Sequence, residues 1–382
     1  MNRKSFLLWL LPAAALILTG CGYAAPEKAV RQEMDLIKKL DESTIKSFVS
    51  YEDIRLSHSA PLEVGEETTE AVKLFFKNFT YKIRSSSVSE DKTTATVELD
   101  ITNLDARQLA KDLCSAMIRD SVTQEGSSQP EGLASSFALM KECLENNTYP
   151  LVTTSATVHL TNTDGVWTIQ ESAELEDALA GGLVSYLRDP YLLSPTEVLE
   201  CTLEPFTDFS AEEWKTYLKL DDVFSTGSSL APQMDEVVAE QIAQFFSYHI
   251  ESVTEDNDTA SASVTVTSLD LPEIISQCRS SLLEYAQTTE SIRATDAEIY
   301  QKSAEYLLAA LEANTQSTES TITITLVNNG YTWEVYLDET FSDALLGGMD
   351  VALESLYASE DTDEAAETES TAAESAEDET QS

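Results

Sequence analysis

Two stretches of this chain are copies of one another, and no other feature narrows the possible folds as far. At a constant offset of 166, Ala156, Val158 and Leu160 correspond to Ile322, Ile324 and Leu326, and Trp167 corresponds to Trp333. At the same offset Asp177-Ala178-Leu179-Ala180-Gly181-Gly182 corresponds to Asp343-Ala344-Leu345-Leu346-Gly347-Gly348. Earlier in each copy the offset drifts. At 169, Ile45, Lys46, Phe48 and Asp53 match Trp214, Lys215, Tyr217 and Asp222; at 167, Tyr81 and Ile83 match Tyr248 and Ile250. Small indels between duplicated units produce such drift, and the copies fall at 26–187 and 195–357.

Within each copy the apolar periods follow the same order. Val30, Met34 and Ile37 share one helical face, and a second helix is expected over about 66–79. Ala95, Val97, Leu99 and Ile101 then alternate with Thr94, Thr96, Glu98 and Asp100, as Ala260, Ala262, Val264 and Val266 do with their neighbours. That is a sheet with one buried and one wet face. The tips Ser89-Glu90-Asp91-Lys92 and Glu255-Asp256-Asn257-Asp258 are polar, as hairpin loops are. A helical excursion follows, with Leu109, Leu113, Ala116 and Met117, then Leu133, Phe137, Met140 and Leu144. Its counterpart carries Ile274, Cys278 and Leu282, then Tyr300, Ala304, Leu307 and Leu311. A closing hairpin turns at Thr163-Asp164-Gly165 or Asn328-Asn329-Gly330, and a short final helix is expected to carry the Gly-Gly pair. The fold class is therefore α+β: two tandem homologous domains, each an antiparallel sheet packed against helices.

Arg188-Asp189-Pro190-Tyr191-Leu192-Leu193-Ser194 joins the copies, and Pro190 and Pro195 restrict its swing. From 358 to 382 the composition changes abruptly: residues 359–382 hold ten acidic and no basic side chains. Such a segment buries too little apolar area to offset its ordering entropy, so a disordered tail is expected.

The start of the chain has a different purpose. Arg3 and Lys4 precede an apolar run from Phe6 to Leu18, followed by Thr19, Gly20 and Cys21. Thirteen apolar residues fall short of the roughly 20 needed to span a bilayer, so residues 1–20 read as a cleaved secretory signal. Leu18-Thr19-Gly20-Cys21 resembles the lipobox of bacterial lipoprotein precursors. The resemblance implies a diacylglyceryl group on Cys21, which becomes the mature N-terminus, with residues 21–25 as a short lipidated tether on the outer face of the cell membrane. Two acyl chains are what stable anchoring requires. Removing the leader takes away two basic residues and no acidic one, so the net charge moves from −45 to −47. Nucleic acid and anionic headgroups are bound through clustered Lys and Arg and are excluded as partners, leaving the lipid as the membrane contact. Another surface protein, a wall component or a cation stays open as partner, and so does the oligomeric state.

No set of residues converges on a reaction. The three histidines, His58, His159 and His249, lie in a loop, on the polar side of a strand and in the other copy, and make neither a zinc site nor a triad. Ser43-Thr44-Ile45-Lys46 fits Ser-x-x-Lys, but no Ser-Asp-Asn or Lys-Thr-Gly accompanies it, and the second copy has Glu212-Glu213-Trp214-Lys215 there; it reads as helix surface. Sixty-eight carboxylates dilute any acid–base pairing, and the tip at 255–258 lacks the spacing and glycine of a calcium loop. The Gly pairs have no phosphate-loop pattern around them and read as packing glycines. Trp167 and Trp333 either fill the cores or line a pocket.

Beyond Cys21 there are four cysteines in a setting that permits disulfides. Cys114 with Cys143 and Cys201 with Cys278 are the possible pairs, but the two copies do not share the pattern, which favours free buried thiols.

The lipobox, the hairpin Ser89-x-Asp91-x-Thr93-x-Ala95-x-Val97, the strand ends Thr102-Asn103-Leu104-Asp105 and Thr267-Ser268-Leu269-Asp270, and the closing hairpin with Trp and Asp-Ala-Leu-x-Gly-Gly resemble a group of candidate lipoproteins of Gram-positive bacteria. Those are described as cystatin-like or nuclear transport factor 2-like. The resemblance implies a curved sheet wrapped around helices, a cone that in some relatives encloses a ligand, and no particular activity. The helical excursion is long for a plain cone and could fill or cover such a pocket. The reading that follows is a non-catalytic binding or scaffolding lipoprotein without cofactor or metal. Its alternatives are an enzyme or small-molecule carrier using the cone interior, and a charged spacer with no specific partner.

Overall fold

A computed structural model describes residues 25–40, 65–123, 133–170, 172–220 and 228–352. Cys21, Ser43, His58 and the acidic tail lie outside the described residues. Two four-stranded antiparallel sheets are present, each in sequential strand order. The chain groups into two units, Met1–Cys201 with Asn328–Glu334, and Thr202–Val327 with Val335–Ser382.

In the first unit α1 (Pro26–Lys39) and α2 (Glu66–Phe75) precede β1 (Thr80–Val88) and β2 (Thr94–Leu104). Next come α3 (Ala106–Thr123) and α4 (Leu133–Asn146), then β3 (Leu151–Thr163), β4 (Val166–Ile169), α5 (Ala173–Leu179) and α6 (Leu183–Arg188). Pro26 starts α1, where its missing N–H costs nothing. The Ser172 hydroxyl accepts from the Leu175 N–H and starts α5. The helix expected over 66–79 stops at Phe75, because Phe79 turns into the core and Thr80 opens β1.

The alternation in β2 has the meaning its pattern implies: Ala95, Val97, Leu99 and Ile101 are buried while Thr96, Glu98, Asp100 and Thr102 face solvent. One apolar cluster joins that face to Ala156, Val158, Leu160, Trp167 and Ile169, and covers it with Val30, Met34 and Ile37 of α1 and with Leu175 and Leu179 of α5. A second cluster lies among the helices, where Ala71 and Phe75 meet Leu109, Leu113, Met117, Phe137, Met140, Leu183 and Leu187. The helical excursion between the hairpins therefore has an apolar core of its own.

The second unit repeats the plan. It comprises the last two residues of α7 (Pro195–Leu203), a 3-10 turn (Glu204–Asp208), α8 (Ala211–Leu218), α9 (Ala231–Phe245), β5 (Ser247–Asp256), β6 (Thr259–Leu269), α10 (Leu271–Ala286), α11 (Asp296–Ala313), β7 (Ser317–Asn328) except Asn328, the last two residues of β8 (Trp333–Tyr336), and α12 (Glu339–Leu345). Reciprocal capping boxes start α8 at Ser210–Glu213 and α11 at Thr295–Glu298. Both first strands carry a register shift at the same place in the repeat, between Ile83 and Ser85 and between Ile250 and Ser252. No helix among the described residues is long and apolar enough to cross a membrane.

Candidate functional site

The most distinctive repeated motif, Asp-Ala-Leu-x-Gly-Gly, is the place to look first for a site. The glycines were expected inside a short helix. They instead lie just past α5 and α12, with φ of +62° and +84° at Gly181 and Gly182 and +70° and +80° at Gly347 and Gly348. Side chains rarely adopt that region, so the pair breaks the helix. The buried Asn103 donates from Nδ2 to the Leu179 carbonyl at 3.3 Å, and in the other copy the Ser268 hydroxyl donates to the Leu345 carbonyl. Asp177 Oδ1 accepts from the Ser185 N–H at 3.0 Å, and Asp343 Oδ1 accepts from the Asp350 N–H at 2.9 Å. Asn103 of β2 and Ser268 of β6 thus tie the ends of α5 and α12 to the sheet, while Asp177 and Asp343 hold the backbone that follows the glycine pair. The motif is a latch that fixes α5 or α12 at the end of its sheet.

Trp167 is 5% exposed and sits in the sheet core among Val158, Leu160 and Leu175. Trp333 is 3% exposed, meets Tyr191 edge to face at 6.2 Å, and its Nε1–H has no hydrogen-bond partner. Sequence reasoning missed the densest aromatic cluster, in the second unit. Phe206 stacks on Trp214 at 5.4 Å and also meets Phe209, Tyr217, Phe246 and Phe341. Trp214 is fully buried with its Nε1–H unpartnered. The signal lies in the spacing of Phe206, Phe209, Trp214 and Tyr217, but the first copy has no such aromatic set at the matching positions, so the cluster is not part of the repeat.

The thiols are equally quiet. Cys114 is half-buried, Cys143, Cys201 and Cys278 are buried, and no disulfide joins any two of these four among the described residues. Burial, with the carboxylates of Asp112 and Glu142 adding to it, pushes the Cys143 thiol up to about 11, which keeps it protonated and a poor nucleophile at neutral pH. Nearby, the Tyr149 hydroxyl donates to Asp112 Oδ2 at 2.8 Å, and Gln108 Nε2 donates to Oδ1 at 2.8 Å. Both carboxylate oxygens are engaged, and burial together with Asp112 raises the Tyr149 phenol above its ordinary range. This group ties α3 to the segment leading into β3.

His159 stands on the solvent face of β3 opposite Thr96, and His249 is exposed on β5 with Glu251 at 3.9 Å. Among the described residues no group of three or more His, Cys, Asp or Glu is placed to hold a metal ion. What remains outward are the wet faces of the sheets. On the first, Thr102 and Thr153 share a hydrogen bond at 2.7 Å, and Ser155 and Thr157 donate to Asp100 and Glu98. On the second, Thr265 and Thr321 are 3.1 Å apart. These are hydroxyl-lined surfaces without an enclosed centre.

Residues 211–349 match a family model described as a domain of unknown function (DUF5105). No curated protein matches the chain. Among solved structures the chain is similar to that of a candidate lipoprotein (ycdA) from Bacillus subtilis subsp. subtilis str. 168, at 11% identity over 70% of this chain and 95% of that one, with a TM-score of 0.25.

Proposed function

We propose that this chain is exported, held on the outer face of a membrane by lipid on Cys21, and that its two α+β units act there as binding or scaffolding modules without catalysis. The basic, apolar and small-residue leader ending in Leu18-Thr19-Gly20-Cys21 supports the anchor. The observation that carries the rest is the state of Trp167: of the two places open to this aromatic, pocket wall or core, it occupies the sheet core, and another indole, Trp214, is fully buried too. A carrier or enzyme using the interior of either domain needs that space open. The same proposal takes 26–187 and 195–357 as the two copies, 188–194 as their linker, 358–382 as a solvated tail, and a cystatin-like ancestry for each copy.

Two measurements test it. Labelling with a fatty acid in growing cells should mark the chain and be abolished by Cys21→Ser; unlabelled chain recovered from cytosol with its leader intact would overturn the anchor. Crosslinking from intact cells should then recover a defined macromolecular partner. Recovery of a small molecule bound stoichiometrically to the purified chain would overturn the non-catalytic module reading.

A further inference from the structure

In the first unit β3 is longer than its outer neighbour. All of β2 pairs with Leu151–Thr161 of β3, but β4 pairs only with Leu160–Thr163, extended by the Gln170 N–H donating to the His159 carbonyl at 2.7 Å. Residues 151–158 thus have a strand on one side only among the described residues. In an antiparallel ladder the backbone groups of alternate residues point to the same side. Because His159 points toward β4, the N–H and C=O groups of Leu151, Thr153, Ser155 and Thr157 point out along the open edge. Leu151 and Val152 are 52% and 41% exposed there.

Sheets normally guard such edges with charge, bulges or very short strands. The opposite edge of this sheet does so: β1 has its register shift between Ile83 and Ser85, carries Lys82 and Arg84, and ties Arg84 to Asp100. In the second sheet β5 has the matching shift, with His249 and Glu251 beside it. On β7 the position matching Thr153 is Glu319. The open edge of β3 has none of these devices. Its thirteen residues contain no Asp, Glu, Lys or Arg, in a chain where 24% of residues are charged, and its pairing with β2 runs without a shift.

We propose that this edge pairs with the same edge of a second copy of the chain, antiparallel across a two-fold axis at Thr154, to make one sheet continuous through both copies. Thr153 then lies opposite Ser155, Leu151 opposite Thr157 and Val152 opposite Ala156. Residues of equal parity meet, so the hydroxyl face continues into a hydroxyl face and the inner face into an inner face. No charges oppose one another. At a net charge of −45 most surfaces of two copies repel, and this neutral strand is where they can approach. The two-fold also uses up both edges, so assembly stops at the dimer instead of running on as a fibre.

The paired surface is small, so the dissociation constant should be on the order of 10–100 μM. Sedimentation equilibrium of the chain carrying Cys21→Ser, from about 1 to 300 μM, should show monomer and dimer and nothing larger. Ser155→Pro removes an N–H that points outward and none from the β2 ladder, and should weaken the dimer at least tenfold. Thr153→Lys, which restores a guarding charge on the wet face, should do the same and decides the matter if the proline variant fails to fold. Ser87→Lys, on the guarded edge, should leave association unchanged. A chain that stays monomeric throughout, including one whose edge takes a strand from another protein, would overturn the proposal. So would a dimer indifferent to both β3 substitutions, or growth beyond two copies.

Discussion

A methyl group on Gly347 would lie 1.9 Å from the Leu269 carbonyl oxygen, at a φ of +70°. Neither the backbone it meets nor its own torsion can yield cheaply, so Gly347→Ala should cost about 2–4 kcal/mol in a denaturant melt. Gly330 has the same kind of torsion but open space around it, and Gly330→Ala should cost only about 1 kcal/mol. Tyr81 gives a pH-dependent counterpart. Burial first, then its hydrogen bond to Asp35 at 2.9 Å, push the phenol from 10.0 up to about 12. The folded state holds this proton more tightly than the unfolded chain, so the contribution is complete below pH 10 and is lost as pH rises from 10 through about 12. Unfolding free energies across that window should fall less steeply for Tyr81→Phe than for the parent. Cys143, with its thiol at about 11, should resist alkylation at pH 8 until the chain unfolds, whereas the half-buried Cys114 should react first; mass spectrometry after timed labelling separates them. At this scale the repeated glycine motif was plain in the sequence but its work as a latch was not. The partners of Asn103 and Ser268 are backbone carbonyls about 76 residues away, which no side-chain pattern encodes.

Among the elements, the capping boxes make the clearest stability prediction. Ser210→Ala deprives the Glu213 N–H of its acceptor and should cost about 1 kcal/mol in thermal unfolding, with the first turn of α8 fraying in amide exchange. Leu99→Ala, at a fully buried position on the inner face of β2, should cost about 2–5 kcal/mol. The strands and most helices were legible because period-two and period-3.6 patterns report directly on which face is buried. Strand pairing was less legible. The register shift after Ile83 changes which of Arg84, Ser85 and Ser86 face inward, and a run of polar residues with no apolar member gives no hint of it. The open half of β3 was invisible too, since how far a strand is paired depends on the length of its neighbour, here the four residues of β4, and not on its own pattern.

For the molecule as a whole, charge is the quantity with the widest reach. With a net charge of −45 and a sequence isoelectric point of about 4.1, solubility should pass through a minimum near that pH and recover on either side; turbidity against pH would show it. Because the repulsion is screened over about 8 Å at physiological ionic strength, added salt should strengthen the proposed dimer, the reverse of what an ion-paired interface would do. The order of strands along the chain has a kinetic consequence as well. β1 and β2 are joined by a tight turn, yet β2 and β3, neighbours at the centre of the sheet, are separated by the helices spanning residues 106–146. Each hairpin can form on its own, but Glu98 cannot meet Thr157 until that long loop has closed, at an entropic cost that grows as about (3/2)RT ln n. Drawing the loop ends together is the slow event this connectivity imposes, and the helix pair is what shortens it. Loosening that pair, for instance with Leu113→Ala, should therefore slow refolding more than it hastens unfolding, a division that stopped-flow chevrons resolve.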